Sequence, residues 1–249
     1  MSGHSKWHSI KHKKAAIDAK RGKLFTKIIK ELTVAAKMGG GDPDANPRLR
    51  TAILAAKDAN MPKDTLEKAV KKGTGDLPGV SFEDSVYEGY GPGGVAIFVE
   101  VSTDNKNRTA AEIRHVFTRH GGSLGAVGCV SWMFTRKGVI TIPADQISEE
   151  KLMEVGLEAG AEDLKTEEGT HFIYTDATAL HDVRLAIEAQ GIKVSSGELR
   201  MLPTNTVRVE GKEAEQIIRL MEALEDHEDV NKVSANFDIP DEVFEKIES

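Results

Sequence analysis

Cysteine is almost missing from these 249 residues. Cys129 stands alone, which excludes an intrachain disulfide and any cysteine-rich zinc site. Long apolar runs are missing as well, and none approaches the length that crosses a bilayer. The amino terminus is basic but no apolar segment follows it, so it does not read as a secretory signal. The glycine-rich runs GYGPGG (89–94) and GGSLGAVG (121–128) lack the Gly-Lys-Ser/Thr ending of a Walker loop and do not match the dinucleotide fingerprint. No nucleophile elbow is present. Glu112 and His115 make a single Glu-x-x-His, whereas a di-iron bundle needs two such pairs and further glutamates. Cys129 lies among residues of strand character and reads as core. These absences leave no enzyme activity, cofactor, metal, small-molecule substrate or membrane association to expect. The expected compartment is the cytoplasm.

Charge, in contrast, is plentiful and unevenly placed. Charged residues make up 29% of the chain and apolar ones 39%, a balance that fits a globular protein rather than a disordered one. Between Gly3 and Lys37 stand nine Lys and one Arg against only Asp18 and Glu31, a net charge of +8. The whole chain carries −7, so everything outside that stretch carries −15. Exposed charges more than about 8 Å apart barely feel one another at physiological ionic strength. A polyanion would therefore meet a locally basic arm on an acidic protein, and the first expectation is nucleic-acid binding through this arm.

Lysine and arginine neutralise phosphates and release counterions, which gives sequence-independent affinity. The candidate contacts are Lys6, Trp7, His8, Lys11, His12, Lys13, Lys14, Lys20, Arg21, Lys23 and Lys27. Trp7 has two readings: its ring stacks on an unpaired base, or it plugs a hydrophobic bundle. His4, His8 and His12 recur every four residues and would share a helix face. No carboxylate or cysteine stands beside them and the neighbouring lysines repel a cation, so no metal is expected there. The loop 103–109 (TDNKNRT) precedes a helix and offers Lys106 and Arg108 to an anion at the helix N-terminus. Its competing reading is a polar turn capped by Asn107. The acidic surplus in 148–168 and 210–248 reads as solvated helix faces.

Periodicity divides the chain into three parts. In residues 1–75, Leu24, Phe25, Ile28, Ile29, Leu32 and Ala36 recur at three and four, marking a helix that stops at Gly39-Gly40-Gly41. Asn46-Pro47 reads as N-cap and first position of a second helix, with Leu49, Ala52, Ile53 and Ala56 inward. A third helix spans 63–72, ended by Gly73-Thr74-Gly75. Residues 73–80 read as a linker. Beyond it come a buried strand (95–101), a helix (108–120) and renewed strand character over 127–134. From 137 the order is β-α-β-β-α-β, the ferredoxin-like pattern, followed by a strand (206–210), a helix (213–225) and a last strand (230–237). The expected fold class is multidomain, α and α+β. A basic helical bundle occupies 1–75. A discontinuous α+β domain takes 82–135 plus 203–240, and a ferredoxin-like domain is inserted at 136–202.

Three blocks now carry a resemblance: GHSKWHSIKHKKAAIDAKRGKLFTKIIKEL, NPRLRTAILAAKDANMPKDTLEKAVKKGTG and YEGYGPGGVAIFVEVSTDNKNRTAAEIRH. They closely resemble the YebC/PmpR family, and the likeness extends more loosely to Pro240. The resemblance implies the same three-domain organisation. It also implies a cytoplasmic bacterial regulator that binds promoter DNA, the chain opening directly on the motif. The alternative it implies is a translation factor acting on RNA or the ribosome, since mitochondrial relatives act as translational activators and bacterial members are linked to stalling on proline-rich stretches. General nucleic-acid contact carries over to Lys6, Trp7, Lys11, His12, Lys13, Lys14, Lys20 and Arg21, but the resemblance supplies no base-reading residue.

Overall fold

The computed structural model describes residues 18–240. Helix α1 (Asp18–Gly39) buries Ile28, Leu32, Ala35 and Ala36 against α2 (Pro47–Asp58) and α3 (Lys63–Thr74), which contribute Leu49, Ala52, Ala56 and Ala69. Asn46 joins two of these helices. Its Oδ1 accepts the Leu49 N–H (3.1 Å), capping α2, while its Nδ2 donates to the carbonyls of Ala35 (2.8 Å) and Gly40 (2.9 Å) at the end of α1.

The third helix does not stop before Gly73. It runs through Gly73 to Thr74, and Gly75, at φ +86°, is the left-handed cap. Gly73 is a close-packing position instead. A Cβ there would collide with the Thr33 carbonyl oxygen and lie 2.7 Å from Ala36 Cβ. Helix propensity alone predicts that Gly73→Ala stabilises α3 by about 1 kcal/mol. The packing reverses that sign, and urea denaturation of the variant should show a net loss of about 1–3 kcal/mol.

The middle of the chain builds a four-stranded antiparallel sheet in the order β3-β1-β2-β9, from β1 (Glu83–Tyr90), β2 (Ala96–Thr103), β3 (Ser123–Leu124) and β9 (Val230–Ala235). On β2, Ile97, Val99 and Val101 face α4 (Lys106–Arg119) and α7 (Gly211–Asp226), meeting Ile113, Phe117, Ile217, Leu220 and Leu224. Ala96 and Phe98 face the other way, onto Val130 and Phe134. Burial on both faces is why this strand reads as a continuous apolar run. Strand β1, with mostly polar residues and half-exposed side chains, carries no such signal.

Between β3 and α7 lies a second antiparallel sheet: β4 (Phe134–Pro143), α5 (Glu149–Glu158), β5 (Ala161–Glu167), β6 (Thr170–Asp176), α6 (Leu180–Ala189) and β7 (Ser196–Pro203). Its order β5-β6-β4-β7 is the ferredoxin-like arrangement. Glu168 and Gly169, both at positive φ, form the two-residue turn between β5 and β6. The multidomain α and α+β class expected from the sequence is the class found. Two local expectations are corrected. Residues 127–133 are a loop and a 3₁₀ turn (Ser131–Met133) rather than a strand. The expected strand over 206–210 is only β8 (Val207–Arg208), paired in parallel with β10 (Phe237–Asp238). Among the described residues no helix is long and apolar enough to cross a membrane.

Ionic contacts hold these parts together. Arg184 on α6 forms a bidentate pair with Asp58 at the end of α2 (2.8 and 2.9 Å). Arg48 on α2 lies between Glu31 of α1 and Asp84 of β1. Lys232 on β9 reaches Glu198 on β7 at 3.2 Å.

Candidate nucleic-acid interface

Seven of the candidate contacts (Lys6, Trp7, His8, Lys11, His12, Lys13 and Lys14) lie outside the described residues. Lys20 and Arg21 fall on the first turn of α1. The remaining members can be placed, and each is engaged within the protein. Lys23, Lys27 and Lys30 recur along one face of α1, and that face meets the end of α7. Lys23 pairs with Asp226 (3.1 Å), Lys27 donates to the Glu225 carbonyl (2.6 Å), and Lys30 donates to the Glu228 carbonyl (3.1 Å) and to Asp229 (2.8 Å). Helix α7 has no basic residue in its own last turn. The α1 lysines supply the positive charge that its exposed carbonyls and negative dipole end favour. The Lys23 pair is more than half exposed on both sides and is worth little to stability. The Lys30–Asp229 pair is buried, at 5% and 2% exposure, and Lys30 also lies 5.4 Å from the centre of the Phe82 ring.

Asp229 is the hub of this junction. Its carboxylate accepts from Lys30 (2.8 Å), Arg108 (2.8 Å), Thr109 Oγ1 (2.8 Å) and Thr103 Oγ1 (3.2 Å). Burial alone would push its pKa up, but Lys30, Arg108 and Thr109 outweigh that and hold it far below the usual carboxylate range. The loop 103–109 is built around the same group. Its cap is Asn105, whose side chain accepts the Arg108 N–H (3.1 Å), and not the expected Asn107. Arg108 also pairs with Asp104 at 2.9 Å, and Lys106 pairs with Glu83 at 2.8 Å. That pairing lowers the Glu83 pKa and raises that of Lys106. Both cations offered by this loop therefore face carboxylates of the same chain.

Glu112, His227 and Asp229 bring one ligand atom each to within 4.8 Å of one another. Their hydrogen bonds describe a polar chain instead of a metal centre. His227 Nδ1 accepts the Asp229 N–H (3.1 Å), which leaves the Nε2 proton for Glu112 at 3.0 Å. Asp229 is already saturated by four donors, two of them cations. His115, paired with Glu112 in the sequence motif, is not in the cluster.

The parts of this arrangement match known proteins along nearly the whole chain. The family model described as "TACO1/YebC protein N-terminal domain" matches residues 5–76, and "TACO1/YebC second and third domain" matches residues 82–237. The chain belongs to the TACO1/YebC family. A "Probable transcriptional regulatory protein" of Desulforapulum autotrophicum is 61% identical over 98% of this chain and 99% of its own. One of the same name from Syntrophus aciditrophicus is 57% identical over 99% of both. The crystal structure of a conserved hypothetical protein from Aquifex aeolicus superposes with a TM-score of 0.85 at 50% identity, covering 92% of this chain and 95% of that one.

Two surface features of this TACO1/YebC chain were not singled out from its sequence. Helix α3 exposes Lys68, Lys71 and Lys72. The loop before β4 exposes Val127 and Trp132, the latter at 70%. The buried Glu88 carboxylate braces that loop by accepting the N–H groups of Gly128, Val130 and Ser131, each at 2.8 Å. Burial pushes the Glu88 pKa up, yet these donors bring it below the ordinary value. They also remove from any strand the N–H groups that a ladder would need, which is why 127–133 is not extended. Trp132 donates its Nε1–H to the Cys129 carbonyl (3.1 Å). Burial raises the Cys129 thiol pKa and the nearby Glu88 raises it further, the direction opposite to that of activated thiols.

Proposed function

We propose that this chain is a DNA-binding regulator of transcription, acting in the cytoplasm by binding rather than by catalysis, with its helical amino-terminal part as the nucleic-acid contact. The observation that carries the reading is the charge split, +8 within residues 3–37 against −15 elsewhere. Such a split concentrates affinity for a polyanion at one end and discourages adhesion elsewhere. Relatives at 55–61% identity that bear the name "Probable transcriptional regulatory protein" support it.

One observation favours a second reading, an RNA- or ribosome-associated translation factor. Between residues 22 and 75 the arginines are Arg48 and Arg50, and there is no glutamine. Arg48 is held by Glu31 and Asp84, and Asn46 is buried as a helix cap. That leaves half-buried Arg50 and exposed Asn60 as the Arg and Asn side chains within 22–75 that could read base edges, a thin set for discriminating duplex sequence, whereas recognition of RNA relies more on shape, phosphates and stacking. The test is recovery of the tagged full chain from growing cells at low and high salt, with sequencing of both DNA and RNA that copurify. Discrete promoter fragments over a background of ribosomal RNA are the expected result. Ribosomal RNA cosedimenting with translating ribosomes, without such fragments, would move the function to translation.

A further inference from the structure

Two groups stand out among the described cations of the helical bundle; of the others, Lys37 donates to Ser81, Arg50 to the Asp44 carbonyl, Lys63 pairs with Glu67, and Lys57 is exposed on α2. Those on α1 that face α7, Lys23, Lys27 and Lys30, together with Arg48, are committed to acidic or carbonyl partners within the chain. Lys68, Lys71 and Lys72 on α3 are not: all three are exposed and have no ion-pair or hydrogen-bond partner among the described residues. The carboxylates of α3 lie toward its start, where Glu67 is taken by Lys63 at 3.6 Å. The nearby Asp76 accepts from Thr74 Oγ1 (2.6 Å).

Spacings of three and four residues put Lys71 and Lys72 beside Lys68 on the helix surface, opposite Leu66 and Val70, which pack against the bundle core. The stem of Lys72 runs over the linker, where a Cβ on Gly79 would sit 3.2 Å from Lys72 Cδ. Lysines in the last turn gain from the helix dipole, but like charges three and four apart lose a similar amount. The geometry points to Lys68, Lys71 and Lys72 as a second phosphate-backbone contact for duplex DNA, separate from the basic arm. This rests on the proposed DNA-binding function and names the residues through which the described part of the bundle would serve it.

The α3 row stands well along the bundle from Asp18, the first described residue of α1. The Ala69 carbonyl accepts from Thr33 Oγ1 (3.2 Å), which sets the level of the row along α1. From Asp18 to Thr33 the helix advances roughly 22 Å at 1.5 Å per residue. At 3.4 Å per nucleotide along a strand, that spans about six phosphates.

The test uses the full chain and a fluorescein-labelled 20-base-pair duplex of mixed sequence, titrated at several salt concentrations. Glutamine keeps helix propensity near that of lysine, so the triple variant Lys68→Gln, Lys71→Gln, Lys72→Gln should melt as the wild type does. The slope of log K against log salt should fall in magnitude by roughly 2–3, at about 0.9 for each phosphate no longer neutralised. The triple Lys→Arg variant keeps the charge and should retain the wild-type slope, so an equal fall in both variants would overturn the assignment. An unchanged slope in the glutamine variant, while the wild type binds, would also overturn it and leave the proposed function standing. A wild type that does not bind the duplex would instead remove the DNA-binding reading, and this second contact with it. A defect seen only with a single-stranded RNA oligomer would likewise remove the duplex assignment.

Discussion

Replacing Asp229 with alanine is expected to lower stability by about 3–5 kcal/mol, because it leaves the buried Lys30 ammonium without its counter-charge. At 2–4 °C per kcal/mol for a chain approaching this size, the midpoint should fall by roughly 6–20 °C. The loss exceeds that of a single pair. Asp229 also accepts from Thr103, Thr109 and Arg108, and it ties α1 of the bundle to the start of β9. Lys30→Met should cost less. It keeps an apolar stem beside Phe82 and leaves the carboxylate its other three donors. Urea denaturation ranks the two variants, and a smaller effect from Asp229→Ala than from Lys30→Met would contradict the hub arrangement.

The same group sets a pH dependence. The folded pKa of Asp229 lies far below the unfolded value of about 3.9. Its contribution is therefore complete above that unfolded value and is lost as pH falls toward the folded one. Glu88 and Glu83 are shifted in the same direction. Wild-type stability should decline steadily from about pH 5 downward, and the Asp229→Ala protein should show a shallower acid decline. Parallel denaturation series at pH 7, 5 and 3 measure both.

Exchanging Lys11, Lys13 and Lys14 for alanine is expected to weaken polyanion binding as strongly as the α3 triple variant does. Three neutralised phosphates at about 0.9 each would reduce the salt slope for duplex DNA by roughly 2.7. The drop in affinity should be greatest at low salt, where counterion release contributes most. Fluorescence anisotropy against salt concentration measures it, with the melting curve recorded alongside to separate binding from folding. These residues lie in the arm, so the effect should add to that of the α3 triple variant rather than replace it. Unchanged binding would take the arm out of the interface.

The sequence by itself determined much of this protein. Leu24 to Ala36 at three and four residues, Asn46 before Pro47, and the β-α-β-β-α-β rhythm after 137 are local patterns, and local sterics and hydrogen bonding turn them into helices, caps and strands. The concentration of +8 in residues 3–37 is likewise a property of the chain alone. Partner choice is different, because it joins groups far apart in sequence and depends on what burial leaves accessible. Only the tertiary structure set Lys23, Lys27 and Lys30 against residues 225–229, drew the N–H groups of Gly128, Val130 and Ser131 onto Glu88, and made Gly73 a close approach rather than a helix terminator. It also left Lys68, Lys71 and Lys72 without partners among the described residues while committing Lys23, Lys27 and Lys30. A lysine count records how much positive charge a chain carries. Which of that charge reaches a ligand is decided by the carboxylates and carbonyls that the fold brings within about 3 Å.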